Sequence, residues 1–321
     1  LTGSNGKTTT KELIHAVLAT QYNVKATIGN LNNHIGVPLT LLSFSEKTEI
    51  GIVEMGANHQ KEIEFLCQIA QPDYGYITNF GKAHLEGFGG VEGVIKGKSE
   101  LYGYLKDNNK KALINIDDTI QVEKSQGIET FSFSLENKAA TYNFYDIEAE
   151  PLAKVLFNKN IIQSNLIGIY NTINICAAVS FGKLFSISDE NCKLAIENYF
   201  PTNNRSQIIK KSSNEIILDA YNANPSSMLL ALENFVKLDT SKSKILFIGD
   251  MFELGEESLK EHQNIVNYLE NNAQGLQCHL VGNYFYQCKN EDFNFYKTFE
   301  DLKEYLVAQP IQNSYILIKG S

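Results

Sequence analysis

Short apolar runs alternate along this chain with stretches in which apolar residues recur every three or four positions. That is the pattern of strands followed by helices in a mainly parallel α/β sheet. Residues 49–54, 74–78 and 112–116 read as buried strands, while Ile14, Val17 and Leu18 share one face of a helix predicted over Lys11–Thr20. From about residue 117 to 167 the alternation weakens. Stretches such as Thr130–Leu135 read as small antiparallel strands there, in a minor sheet to which no chemistry is assigned. Residues 169–185 and 188–199 read as two helices. Turn-rich Pro201-Thr202-Asn203-Asn204 then forms the expected hinge between two domains, 1–200 and 201–321. A second α/β series follows, with strands expected at 215–219, 244–248, 279–281 and 315–318 and helices at 226–238 and 256–271.

Composition narrows the classes of partner. The 321 residues are 43% hydrophobic and 20% charged, ordinary globular usage with enough chain for two domains. With 28 basic against 37 acidic residues the net charge is −9, so neither nucleic acid nor an anionic membrane surface is the expected partner. A phosphate site must be built locally, from backbone N–H groups and a few cations. The five cysteines are scattered, odd in number and never spaced Cys-x-x-Cys, which fits a reducing compartment, the cytoplasm, and argues against disulfides or zinc. No apolar run reaches the roughly 18–20 residues of a membrane span. The sequence opens on Leu1, almost on top of a glycine-rich motif, and the expectation is a fragment.

That motif, Thr2-Gly3-Ser4-Asn5-Gly6-Lys7-Thr8-Thr9-Thr10, runs straight into a helical pattern. Glycines let main-chain N–H groups turn inward around phosphate oxygens, and the helix N-terminus adds its positive end. Lys7 can reach β- and γ-phosphates, and the Thr8 hydroxyl can ligate Mg²⁺. The usual first glycine, five places before Gly6, is Leu1 here. Taken alone, the string fits a glycine turn capping a helix equally well. The buried strand expected before such a loop is not visible in the sequence.

Further strings stand in a fixed order after it: Asn30-Leu31-Asn32-Asn33-His34-Ile35-Gly36-Val37-Pro38, Glu54-Met55-Gly56-Ala57, Asn79-Phe80-Gly81-Lys82-Ala83-His84 and Lys98-Ser99-Glu100-Leu101-Tyr102. Asn171-Thr172-Ile173-Asn174, Arg205, Asp219-Ala220-Tyr221-Asn222-Ala223-Asn224-Pro225 and Gly249-Asp250-Met251-Phe252-Glu253-Leu254-Gly255 complete the series. Together they resemble the ATP-dependent Mur ligases of bacterial cell-wall synthesis, in particular the branch that adds a D-alanyl-D-alanine dipeptide rather than a single amino acid. Members of the family have three domains. The resemblance covers the second, a central P-loop ATPase with a mainly parallel sheet, and the third, a Rossmann-like α/β domain, with both ends of the chain cut.

The resemblance implies amide-bond formation through an acyl phosphate, with ATP and Mg²⁺ consumed alongside a UDP-N-acetylmuramoyl-tripeptide and D-alanyl-D-alanine, by a monomer. It assigns ATP contacts to Gly3, Ser4, Asn5, Gly6, Lys7, Thr8 and Thr9, to Asn171 and Asn174 at the adenine, and to Arg205 and Asp219 from the C-terminal domain. Thr8, Glu54, His84 and Lys98 are implied metal-site residues, with Lys98 carrying a CO₂-derived carbamate, an anion that could stabilise the metals where an ammonium would repel them. Asn32, Asn33, Asn222 and Asn224 are implied at the substrates.

The residues themselves support these roles unevenly. Glu54 follows the apolar Ile50-Gly51-Ile52-Val53, an unusual place for a carboxylate without a partner. Carbamylation needs a neutral amine, hence burial or nearby cations at Lys98, yet no residue-level argument separates Lys98 from Lys96. Asn171 and Asn174, one helical turn apart, fit a polar core pair as well as a base contact. Tyr170 stands where the family often has His. The four substrate asparagines fit ordinary turn chemistry equally. His15 and His279 are expected to be structural, and His262 matches a family position without a role. Another Mur-type ligase, folylpolyglutamate synthase, or a non-catalytic nucleotide-binding relative are the alternatives. The Asn222–Pro225 and Gly249–Gly255 strings speak against the first two, and the joint presence of Lys7, Thr8, Glu54, His84 and Lys98 against the third.

Overall fold

The computed structural model describes residues 1–146, 152–202 and 204–321, so the expected hinge residue Asn203 lies outside it. The chain forms two compact units, Leu1–Tyr199 and Phe200–Ser321. In the first unit, strands β1 (Val24–Ala26) and β2 (Ile50–Ile52) pair in parallel, and β3 (Tyr74–Tyr76), β4 (Lys111–Asn115), β5 (Glu129–Ser134) and β6 (Tyr142–Asn143) form a second parallel set in that order.

Two residues join these sets. Leu1 donates to the Val53 carbonyl at 2.8 Å and accepts from Met55 N–H at 2.8 Å on one side. On the other, Thr2 bonds Tyr76 O and Thr78 N at 3.0 and 2.9 Å, in a parallel bridge to Ile77. Leu1–Thr2 is therefore the end of the strand that a phosphate loop should follow, inserted between β2 and β3.

Helix α1 (Lys7–Leu18) starts four residues before the periodicity predicts, because Gly6 at φ 78° turns the chain directly into it. Its Leu13, Ile14, Val17 and Leu18 are buried against Ile175, Cys176 and Val179 of a later helix, Asn171–Leu184, and against Tyr76, Leu113 and Phe133 of the sheet. Each such side chain contributes about 1.5–3 kcal/mol by burial. Helices α2 (Gly36–Leu42), α3 (Glu62–Ala70), α4 (Leu85–Phe88), α5 (Val91–Asp107) and α6 (Thr119–Lys124) connect the strands. The antiparallel expectation for Thr130–Leu135 is corrected: β5 runs parallel to β4, with Ile114 opposite Ser132, because α6 supplies the crossover that parallel pairing requires. The antiparallel sheet of this region is instead β7 (Tyr145–Asp146), β8 (Leu152–Phe157) and β9 (Asn160–Ile167), followed by α7 (Asn171–Leu184) and α8 (Asp189–Glu197).

In the second unit, β10 (Gln207–Lys211), β11 (Asn214–Asp219), β12 (Ser243–Gly249), β13 (Gln277–Val281), β14 (Asn294–Tyr296) and β15 (Ser314–Lys319) form one sheet ordered β10-β11-β15-β12-β13-β14. Only β10 pairs antiparallel. Helices α9 (Pro225–Lys237), α10 (Ser258–Asn272), α11 (Asn283–Gln287) and α12 (Phe299–Ala308) accompany it. His279 on β13 is buried. It stacks on Phe247 at 4.8 Å, meets Tyr296 and Tyr305 rings, and bonds the Tyr296 hydroxyl through Nδ1 at 2.9 Å, while Nε2 has no hydrogen-bond partner.

Burial lowers the His279 pKa from 6.5 to about 4. The unfolded chain therefore takes up this proton first on acidification. Stability from the neutral imidazole is complete above pH 6.5 and is lost progressively down to pH 4. Urea midpoints at pH 7 and 4.5 are expected to fall further for the native protein than for His279→Phe; equal losses would contradict this origin.

Candidate active site

The glycine loop is held by the segment that follows β3, residues 78–81. Thr78 Oγ1 and Asn79 Nδ2 both donate to the Asn5 carbonyl, at 2.5 and 3.1 Å, and Asn5 N–H donates back to Asn79 Oδ1 at 3.1 Å. Ser4 N–H bonds the Asn79 carbonyl at 3.0 Å, and its hydroxyl donates to Gly81 O at 2.7 Å. Gly3, at φ 140°, lies so near the segment after β3 that a Cβ would sit 2.0 Å from Thr78 Oγ1, and one on Gly6 would sit 2.7 Å from Asn174 Oδ1. Lys7 folds over the loop and donates to the Gly3 and Ser4 carbonyls at 2.7 and 3.3 Å. No side chain caps the α1 N-terminus, whose first-turn N–H groups, with half-buried Thr9 among them, face the loop end of the helix.

Beneath the loop lies a buried carboxylate. Glu54, 1% exposed, follows β2 and accepts through Oε1 from the Thr8 hydroxyl at 3.2 Å and from Asn32 Nδ2 at 2.8 Å. Its N–H donates to Thr27 Oγ1 at 3.0 Å. Oε2 has no hydrogen-bond partner, and the nearest cation is the ammonium of Lys11, 3.9 Å away. An ionised carboxylate left half-satisfied in the interior is costly. A hydroxyl and a carboxylate oxygen side by side are hard donors of the kind Mg²⁺ accepts, so this pair fits the implied metal. Among the described residues no three His, Cys, Asp or Glu side chains gather as a metal site. Such a pair suits an ion that keeps water and phosphate oxygens as its other ligands.

Lys98, in the middle of α5, is 1% exposed, whereas Lys96 is exposed, a distinction the sequence does not make. Its Nζ donates to the Ala57 carbonyl at 3.1 Å and lies 4.9 Å from the Phe88 ring centre. Burial, with the charge of Lys7 second, holds its pKa well below the usual lysine range. A shift in that direction favours the neutral amine. His84 is half-buried at φ 52° and immediately precedes α4, the short helix that brings Phe88 over Lys98. Of the four implied metal-site residues, then, Thr8 and Glu54 touch, and Lys98 bonds from α5 to the strand-end segment three residues beyond Glu54; His84 stands just before α4.

The asparagines divide. Asn32 joins the site through Glu54. Asn33 Oδ1 instead accepts from Ile35 and Gly36 N–H, at 3.1 and 3.0 Å, which is turn chemistry. Asn171 and Asn174 are buried in one chain of bonds: Thr10 Oγ1 to Asn174 Oδ1 at 3.0 Å, Asn174 Nδ2 to Asn171 Oδ1 at 2.8 Å, and Asn171 Nδ2 to Ile167 O at 2.7 Å. This is the polar core pair that the sequence leaves open, and it fixes α7 against the loop helix.

In the second unit Asp219, ending β11, accepts from Ser206 N–H at 3.2 Å and pairs with buried Lys319 at 2.6 Å. The Arg205 guanidinium stacks on the Tyr221 ring at 3.7 Å. Asn222 Oδ1 accepts from Ala223 N–H and the Ser321 hydroxyl, at 2.8 and 2.9 Å. Asn224 caps α9 in a reciprocal box with Ser227, ahead of Pro225. His262 accepts Met251 N–H at Nε2 and, as the Nδ1–H tautomer this implies, donates to Ser258 O, so it braces the Gly249–Gly255 turn. The sequence reading missed Lys11, Thr78, Asn79 and Lys319 as partners of the site residues. Lys11 lies one turn beyond Lys7 and Thr8 on α1, a spacing that could have marked it.

A parallel sheet, a clamped glycine loop opening a helix, and a hydroxyl–carboxylate pair at the neighbouring strand end define a P-loop α/β protein. The chain belongs to the Mur ligase family: residues 1–182 match the Mur ligase middle domain and residues 204–321 the Mur ligase glutamate ligase domain. It is 38% identical over 257 residues to the UDP-N-acetylmuramoyl-tripeptide–D-alanyl-D-alanine ligase of Bacillus subtilis, covering 80% of this chain and 56% of that protein. Among solved structures it is similar to MurF from Acinetobacter baumannii, with TM-score 0.88 and 29% identity over 100% of this chain and 72% of that one. It is also similar to MurF ligase from Thermotoga maritima in complex with ADP, with TM-score 0.85 and 26% identity over 100% and 75%. The chain thus spans somewhat over half the length of the Bacillus relative.

Replacing Asn79 by Ala removes both bonds to the Asn5 main chain. Nucleotide affinity is expected to fall about tenfold, with a stability loss of about 1–3 kcal/mol. Fluorescent-ADP titration beside urea unfolding measures the two, and unchanged affinity would show that the loop holds its shape without Asn79.

Proposed function

We propose that this protein acts as an ATP-dependent amide ligase of peptidoglycan precursor synthesis, in the cytoplasm and as a monomer, joining D-alanyl-D-alanine to UDP-N-acetylmuramoyl-tripeptide. The observation that carries the reading is the meeting of the Lys7 loop with the Thr8–Glu54 pair, in a chain whose relatives bear that name. In this reading a carboxylate oxygen of the tripeptide attacks the γ-phosphorus of ATP and the bond to ADP breaks. The dipeptide amine then attacks the acyl carbon, losing a proton as phosphate leaves.

Each residue has a share in this. The loop N–H groups and Lys7 orient the triphosphate and offset its charge. Thr8 and Glu54 would hold Mg²⁺, which supplies charge neutralisation at the phosphates. His84 and carbamylated Lys98 would complete the metal environment, and Asn32 would link it to the tripeptide side. Asn171 and Asn174 serve the nucleotide by holding α7 to the loop helix. In the second unit, Asp219 with Lys319 and the stacked Arg205 form a charged edge suited to phosphate, and Asn222 lies beside it for the dipeptide. Asn33 and Asn224 act through the turn and the helix cap that they stabilise.

The test is an assay on the full-length protein with ATP, Mg²⁺ and the UDP-linked tripeptide, offering D-alanyl-D-alanine or glutamate. ADP release with D-alanyl-D-alanine alone is expected. A glutamate product would place the protein elsewhere in the family, and no turnover with either would favour a nucleotide-binding role. Lys98→Ala is expected to lose about a hundredfold in kcat, with partial recovery on adding short carboxylic acids; undiminished rates would remove Lys98 from the mechanism.

A further inference from the structure

Lys11 is the one fully buried ammonium on α1, and its surroundings differ from those of a stray core lysine. The side chain is 0% exposed, and Nζ donates to the Thr27 carbonyl, pairs with Glu12 Oε1 at 2.8 Å and faces Glu54 Oε2 at 3.9 Å. Glu54 Oε2 is the oxygen without a hydrogen-bond partner. The other oxygen, Oε1, already takes Thr8 and Asn32. Lys11 therefore balances the carboxylate by charge without engaging the oxygen that a cation would need. It also ties Glu54 to α1 and, through Thr27, to the segment after β1, whose Thr27 hydroxyl receives the Glu54 N–H.

We propose that Lys11 is the resident counter-ion of Glu54 and keeps the divalent-cation site weak until nucleotide phosphates arrive, so that metal and nucleotide bind together. The inference rests on the reading of Thr8 and Glu54 as the metal-holding pair. The charge arithmetic supports it. Glu12, Glu54 and Lys11 sum to −1, and without the lysine they sum to −2, with Lys11 and Glu54 buried where charges are poorly screened and Glu12 35% exposed. Among the described residues no further pair of His, Cys, Asp or Glu joins Glu54 to make a site on its own. A bare ion would thus meet a cluster whose net charge the shared ammonium lowers from −2 to −1, and a nucleotide-bound ion would bring its own anionic ligands.

The test is Mn²⁺ binding, read from the electron paramagnetic resonance signal of free Mn²⁺, on the full-length protein with and without ADP. Native protein is expected to bind Mn²⁺ weakly alone and at least tenfold more tightly with ADP. Lys11→Met, which keeps most of the apolar stem and removes the charge, is expected to bind nucleotide-free Mn²⁺ at least tenfold more tightly than native, and the gain should vanish in Lys11→Met/Glu54→Gln. A folded Lys11→Met protein with native nucleotide-free affinity would overturn the proposal. Should Lys11→Met not fold, the double variant decides: recovery of folding supports the charge pairing, and continued failure shows that Lys11 serves only the Thr27 contact. Loss of the ADP-dependent Mn²⁺ binding in Glu54→Gln tests the underlying metal assignment separately; if that binding persists, the Thr8–Glu54 reading fails whatever Lys11 does.

Discussion

A carboxylate buried at the end of a short strand sets the terms for the first unit. Removing an ionised Glu54 from water costs several kcal/mol, and only well-placed partners offset it. They come from separate parts of the chain: Thr8 and Lys11 from the loop helix and Asn32 from the loop before α2, while Thr27, after β1, holds the Glu54 main chain. Each must be in register at once. The parallel sheet meets that demand, because Leu1–Thr2 bonds the chain after β2 on one side and β3 on the other, delivering the glycine loop directly beside Glu54. The apolar face of α1, packed on α7, then fixes the turn on which Thr8 and Lys11 stand together.

Much of this arrangement is legible in the sequence, and what is not fails for identifiable reasons. The strand and helix order emerges from periodicity, since buried parallel strands are short apolar runs. The direction of Thr130–Leu135 does not, because alternation along a strand carries no information about which way its neighbour runs; the six-residue helix between it and β4 decides that. The strand before the glycine loop is represented by two residues, too few for any pattern, and shows itself only through main-chain bonds to both neighbours. Glu54 is conspicuous as an acid after an apolar run, whereas Lys11 looks like any helix lysine until its burial is seen.

The lysines and asparagines show where residue type stops being informative. Lys96 and Lys98 are two places apart on one helix, and only the helix's rotation sends the second inward beneath Phe88. Asn32 and Asn33 are adjacent, yet one carboxamide reaches the buried carboxylate and the other closes its own turn. In the second unit Asn222 and Asn224 separate in the same way, the first towards the edge formed by the ends of β11 and β15, the second into a helix cap. Side-chain amides are equally competent at ligand contacts and at local main-chain bonds, so their share in a site depends on backbone geometry that composition does not encode.

The clamp on the glycine loop has a consequence for how such loops diverge. Thr78 and Asn79 grip residue 5 by its peptide N–H and C=O, across 74 positions of sequence for Asn79. The grip makes no demand on which amino acid stands at position 5, and it is exacting about the amide at position 79. Drift is thus tolerated at position 5, between glycines that leave no room for a side chain, and resisted far downstream, so one informative letter of this phosphate motif lies outside the motif as it is ordinarily written.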